Sequence, residues 1–244
     1  MDAKKLVKIF EKISEEFTDK LLLNLSWKGT LPVVENVEVE FNEDKIIAFL
    51  TKVNLELISL RLINRQINIP RLITNFNNKG NYLKLLTDNL EAGFWEELAK
   101  KQKVKKEILA LHFLFLRRKM LRELKDFSLD KGVNQQNCPT CGASPGFAAI
   151  TPTGERILFC LECQTQWRYY RLGCPKCGNK FHEDFIEIHP EGEEEILYFA
   201  EVCKKCGSYL KTKNLKNNEE KINPNLEDVE SLFLDYLIPK KINY

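Results

Sequence analysis

No cysteine occurs before position 138 or after position 206 of this 244-residue chain. The N-terminal half therefore has no disulfide staple and must be held by an apolar core. An excess of charge is missing too. Lysine and arginine total 37 against 35 aspartates and glutamates, a formal net charge of +2, which is not a polyanion-binding signature and makes nucleic acid a poor partner. Long apolar runs are absent: the longest, 108–116, is interrupted by His112 and falls short of the ~20 residues that cross a bilayer. The opening Met1-Asp2-Ala3-Lys4-Lys5 leads into an amphipathic pattern, not the apolar stretch of a signal peptide. These absences give the expectation of a soluble, cytoplasmic protein without membrane insertion. With 43% hydrophobic and 30% charged residues, the composition is that of a globular chain able to bury a core.

Leu6, Ile9, Phe10, Ile13, Phe17 and Leu21 recur at three- and four-residue intervals and predict a helix over 3–25. A turn-rich stretch with Gly29 and Pro32 follows. Ile46, Ile47, Phe49, Leu50, Val53, Leu57, Leu60 and Ile63 then predict one interrupted or two short helices before Pro70. Asn77, Asn78 and Gly80 mark a turn. Residues 82–90 read as a further helix, and 94–124 as a long one whose middle is apolar on nearly every side, the mark of a bundle centre. His112 on that helix is read as a satisfied core residue. Lys100, Lys101, Lys103, Lys105 and Lys106, with Arg117, Arg118 and Lys119, read as a solvated face, because no aromatic residues interleave as a single-strand binding surface requires. Residues 1–126 are thus expected to form an all-helical domain. Residues 127–137 lose the hydrophobic period and read as a linker.

The eight cysteines form four Cys-x-x-Cys pairs: Cys138/Cys141, Cys160/Cys163, Cys174/Cys177 and Cys203/Cys206. Two sulfurs on one tight turn supply one edge of a tetrahedral thiolate site. In CPTCG (138–142) and CPKCG (174–178), Pro stiffens the turn and Gly can take the positive φ that aims backbone N–H groups at sulfur. Cys141 and Cys160 are separated by 18 residues, the spacing of a zinc ribbon, and Cys177 and Cys203 by 25, the same device with a longer hairpin. Each gap reads strand, turn, strand. We therefore pair the first knuckle with the second and the third with the fourth; an interleaved cross-brace is the alternative. Disulfides or a redox motif fit four evenly typed knuckles less well. Zinc and iron both accept tetrahedral sulfur, and with four cysteines per site no coordination position is left open for catalysis. His182 and His189 read as ordinary surface or packing residues.

CPTCG-x-x-P (138–145), GERILFCLECQTQWRYYRLGCPKCG (154–178), EVCKKCGSYLK (201–211) and EDVESLFLDYL (227–237) together resemble the formate dehydrogenase accessory protein (FdhE) family. The resemblance spans about 138–237; over the first domain only the helical character and its position are similar. It implies an α+β protein: the N-terminal helical domain, two tandem rubredoxin-like modules over 138–170 and 171–213, and a tail over 214–244. It further implies a cytoplasmic, non-enzymatic role in assembling formate dehydrogenase by binding its catalytic subunit. The eight cysteines would be the ligands of two metal ions, with iron implied by the family and zinc equally compatible with the sulfurs.

Three further readings accompany this one. Trp167, Arg168, Tyr169 and Tyr170 are of the types that anchor interfaces, with packing between the ribbons as the alternative. Leu226, Val229, Leu232, Phe233, Tyr236 and Leu237 predict one apolar face on a helix over about 226–238, capped by Asn225 or Asp228 and stopped by Pro239. Asp235 beside it is either a partner contact or a solvated carboxylate. Rubredoxin-type electron transfer and a nucleic-acid-binding ribbon are the alternative functions, and self-association is left open.

Overall fold

Ile9, Phe10 and Ile13 put three buried side chains on one face of α1 (Ala3–Glu16), as their spacing predicts. The expected helix, however, stops at Glu16 instead of running to residue 25. Leu22–Trp27 forms strand β1, paired antiparallel with β2 (Val37–Phe41). The cause is distant in sequence: the buried carboxylate of Glu123 accepts the backbone N–H groups of Leu21 and Leu22, both at 3.0 Å. The computed structural model describes residues 3–64, 66–76, 81–91, 93–128, 133–192, 195–217 and 220–241. It divides into two compact units, one of Lys8–Leu124 and the other of Lys125–Tyr244 with the residues up to Val7.

The first unit is helical apart from that hairpin, so the all-helical expectation needs correction. The segment before Pro70 is one continuous helix, α2 (Glu43–Ser59), whose start is capped by the Asn42 side chain accepting the Lys45 N–H at 3.3 Å. Pro70 opens the next helix, α3 (Ile69–Phe76), where its missing N–H costs nothing. The helix expected over 82–90 is α4 (Asn81–Leu86), closed by Asp88 at φ 60°. The long helix expected over 94–124 is two, α5 (Phe94–Gln102) and α6 (Lys106–Glu123). Between them Lys103 adopts the left-handed conformation, φ 53°, and the Val104 N–H turns back to the Ala99 carbonyl at 3.1 Å. The turn expected at Asn77, Asn78 and Gly80 lies outside the described residues. α6 is the centre of the core, burying Leu109, Phe113, Leu116 and Met120, with Phe113 stacked on Phe76 at 4.5 Å. His112 is fully buried there: Nδ1–H donates to the Ile108 carbonyl at 2.7 Å, and burial lowers its pKa and keeps the ring neutral.

In the second unit, six strands form one sheet in the order β5-β4-β3-β8-β7-β6. These are β3 (Phe147–Ile150), β4 (Arg156–Phe159), β5 (Gln166–Tyr169), β6 (Phe185–Ile188), β7 (Tyr198–Cys203) and β8 (Tyr209–Asn214). The expected hairpins are present, and each gains a third strand after its second knuckle. The two antiparallel meanders are fused by parallel pairing of β3 with β8, Ala148 opposite Thr212 and Ile150 opposite Asn214.

The tail differs from expectation in phase. Two helices, α7 (Pro224–Glu230) and α8 (Leu232–Lys241), replace the single one, and Asn223, not Asn225 or Asp228, caps the start. Ser231 separates them; its hydroxyl donates to the Glu227 carbonyl at 2.7 Å and closes α7. The break rotates the buried face to Leu234 and Ile238, which pack on Ile188, Ala200 and Val202 of β6 and β7. Leu232, Phe233 and Tyr236 are left exposed. α8 also continues past Pro239 to Lys241. Beneath these helices two buried lysines on β8 each gather two carboxylates. Lys211 meets Asp228 and Asp235 at 2.6 and 3.0 Å, and Lys213 meets Glu220 and Glu227 at 2.8 and 3.0 Å.

Candidate metal centres

All four knuckles fold alike. The N–H of the residue after the second cysteine returns to the carbonyl of the first: Gly142 to Cys138, Gly178 to Cys174 and Gly207 to Cys203 at 2.8 Å, and Gln164 to Cys160 at 3.0 Å. That residue has positive φ in every case, 75°, 72° and 70° at the glycines and 59° at Gln164. Glycine meets this requirement at little cost, and Gln164 accepts it within the same closed turn. The first cysteine of each knuckle also donates its N–H to a carbonyl five residues on, Ala143, Thr165, Asn179 or Ser208, at 2.8–3.0 Å.

These turns bring the eight sulfurs into two groups, Cys138/Cys141/Cys160/Cys163 and Cys174/Cys177/Cys203/Cys206, with the ligand atoms of each group within 4.8 Å of one another. The grouping is sequential, not cross-braced. Across the first group Cys138 and Cys163 are 3.4 Å apart, as are Cys141 and Cys160. Across the second, Cys174 and Cys206 are 3.6 Å apart and Cys177 and Cys203 3.8 Å. All eight are free thiols, far outside the ~2.05 Å of a disulfide bond. A tetrahedron with 2.3 Å metal–sulfur bonds has edges of about 3.8 Å, so both groups fit an ion that takes four thiolates. Backbone N–H groups aim at the sulfurs as such a site needs: Asn179 at Cys177, Lys205 and Cys206 at Cys203, and Ser208 at Cys206. His182 and His189 belong to neither group.

The two environments differ. Cys138, Cys160 and Cys163 are buried and Cys141 is half-buried, whereas Cys177 and Cys206 are exposed. Hydrogen bonding among the crowded thiols of Cys138, Cys160 and Cys163, together with burial, pushes the Cys141 thiol well up. At Cys206 burial works against ionisation, yet hydrogen bonds from the Ser208 hydroxyl and N–H bring the thiol down to about 6. Cys174, Cys203 and Ser208 also line a cleft of about 190 Å³. In its wall a buried ion pair ties β4 to β7: Arg156 lies 2.5 Å from Glu201 and donates to the Gly173 carbonyl at 2.8 Å, while Arg171 meets Glu201 from outside at 3.1 Å.

Two of the expected surface anchors face inward. Trp167 is 5% exposed and its indole N–H donates to the Gln135 carbonyl at 2.8 Å; Tyr169 is 5% exposed, with its hydroxyl 3.4 Å from the Cys174 carbonyl. Alternation along β5 decides this, leaving Arg168 outside beside Glu155 at 3.3 Å. Tyr170 remains at the surface under the Lys180 ammonium, 3.7 Å from the ring centre. Asp235 is not a solvated carboxylate: it accepts from Tyr209 at 2.8 Å and from Lys211 at 3.0 Å. Sequence reasoning missed Arg156, Glu201, Thr140 and Thr165. Of these, Thr165 alone had a visible signal, since it stands two residues after a knuckle, as Ser208 does.

Residues 172–243 match the model of the FdhE C-terminal domain. An FdhE homolog of Aquifex aeolicus is 36% identical over 102 residues, 40% of this chain and 35% of that protein. FdhE of Escherichia coli O1:K1 is 33% identical over 109 residues, 43% of this chain and 33% of that protein. These alignments span about a third of the length of the curated relatives. The crystal structure of FdhE from Pseudomonas aeruginosa superposes with a TM-score of 0.58 at 19% identity, covering 97% of this chain and 82% of that one, a likeness of fold. The chain is similar to FdhE over part of its length, and it is a mixed helix-and-sheet protein with two four-cysteine, ribbon-like modules. No helix among the described residues is long and apolar enough to cross a membrane.

Proposed function

We propose that this chain is a cytoplasmic accessory protein that holds one ion in each four-sulfur cluster and binds the catalytic subunit of formate dehydrogenase during its assembly. The observation that carries the reading is the pair of preformed tetrahedral sulfur groups within a chain similar to FdhE. An ion, iron or zinc, would supply charge neutralisation and cross-linking: it clamps two knuckles and makes its own binding energy part of the folding energy. The chain's residues do the rest. The knuckle amides spread the thiolate charge, and the fused sheet holds both clusters on one scaffold. Four cysteines per cluster fill a tetrahedron, which favours a binding role over turnover.

The test is metal analysis with an optical spectrum on protein purified without oxygen from its own host, followed by capture of its partners. Two ions per chain and retention of the formate dehydrogenase catalytic subunit are expected. A metal-free protein that still binds the subunit would remove the metal from the function; loaded protein that never retains the subunit would remove the partner. Exposure of Cys177 and Cys206 favours electron transfer as the second reading. A colourless, fully loaded and active protein from the native host excludes it.

A further inference from the structure

Behind the first cluster three buried hydroxyls stand in single file. Cys163 Sγ is 3.1 Å from Thr165 Oγ1, which is 2.6 Å from Thr140 Oγ1, itself 2.6 Å from Ser128 Oγ. The far end rests on the Lys125 carbonyl, 2.8 Å from Ser128 Oγ, in the short 3-10 turn Lys125–Ser128. All four side chains are at most 4% exposed, so water does not compete for these bonds. Each hydroxyl has one proton to donate. With Cys163 as a thiol, S–H donates to Thr165 and every link runs outward, ending on Lys125. A sulfur bound to an ion carries no proton, so keeping the link to sulfur requires each hydroxyl to turn and donate inward, Ser128 to Thr140, Thr140 to Thr165 and Thr165 to sulfur, with Ser128 releasing the Lys125 carbonyl. The thiol proton leaves to solvent as the ion enters; the hydroxyl protons only rotate.

We infer that Thr165, Thr140 and Ser128 are a positioning relay that polarises toward Cys163 when the first cluster is loaded and raises its affinity for the ion. A donor on a thiolate offsets excess negative charge, and a donor behind it strengthens the first. The second cluster has its direct counterpart in Ser208, 3.0 Å from Cys206 and at the same knuckle position. The inference rests on the metal-binding reading above.

The test uses the full chain loaded with Co²⁺, reading each site by chelator competition and by the sulfur-to-cobalt charge-transfer band. Thr165→Val should weaken the first site about 10- to 100-fold and shift its band, Thr140→Val less, and Ser128→Ala least. Thr165→Ser should restore it, and the second site should not change. Because the relay acts through Thr165, Ser128→Ala should add nothing in a Thr165→Val background, whereas independent packing effects would add. Valine keeps the shape of threonine, and if it still disturbs folding, the Ser128→Ala effect and its dependence on Thr165 measured with Thr165→Ala give the same reading. Unchanged affinity in both valine variants, or additive losses, overturns the relay alone. Failure of either cluster to take any ion overturns the metal reading with it.

Discussion

The two sulfur clusters are built from the same turn, yet one is sealed and the other open. In the first, three of the four cysteines are buried and the outer shell is a chain of hydroxyls leading inward. In the second, Cys177 and Cys206 are exposed and Ser208 stands beside a cleft. Knuckle geometry is local and repeats with its sequence, while burial differs between the two clusters. One motif therefore yields a sealed cluster and an accessible one.

That contrast can be broken directly. On the metal-binding reading, the largest expected effect follows Cys160→Ser in the first cluster: an ion lost from a buried site should cost more than about 4 kcal/mol and remove the cooperative melt of the sheet, whereas Cys206→Ser should lose its ion with a markedly smaller drop in Tm. Equal losses would mean that the two sites carry equal structural weight. Next, Arg156→Met strands the buried Glu201 carboxylate with Arg171 as its remaining cation and should cost about 3–5 kcal/mol by denaturant titration. The double change Arg156→Met/Glu201→Leu should recover much of it. Lys211→Met leaves Asp228 and Asp235 without their shared cation; about 1–3 kcal/mol is expected, with the capacity of both sulfur clusters to take an ion unchanged.

Reactivity sharpens the comparison without mutation. In ion-free protein, Cys206, exposed and with its thiol at about 6, should be the first cysteine alkylated. Its rate should rise with pH through that value as the thiolate forms, while Cys141 stays protected; mass mapping of the labelled peptides reads both. The smallest effect on stability is expected for Tyr170→Ala, within about 0.5 kcal/mol, since its ring is at the surface under Lys180. On the proposed function this variant weakens capture of the formate dehydrogenase subunit, and unchanged capture would remove Tyr170 from the interface.

Where sequence reasoning erred, a distant partner had intervened. Leu21 fits the helical period but its N–H belongs to Glu123. Trp167 and Tyr169 read equally as surface anchors or as packing residues, and only the alternation of β5, which turns them inward, chooses between the two. The tail has enough apolar residues for one face at the predicted phase, but a turn at Ser231 re-aims the helix by letting Leu234 and Ile238 meet the sheet. Lys103 carries no mark of a helix break, and its left-handed conformation goes with the Val104 N–H turning back to the Ala99 carbonyl.

The sequence by itself determined that eight sulfurs would gather as two sets of four, because each knuckle is a five-residue turn and each hairpin returns within 25 residues, so short-range geometry suffices. Only the tertiary structure decided that the two ribbons share one sheet through β3 and β8, that Arg156 meets Glu201 across it, and that Cys163 is backed by a file of hydroxyls. Those contacts join residues whose pairing depends on where the whole chain is folded, and no local spacing encodes them.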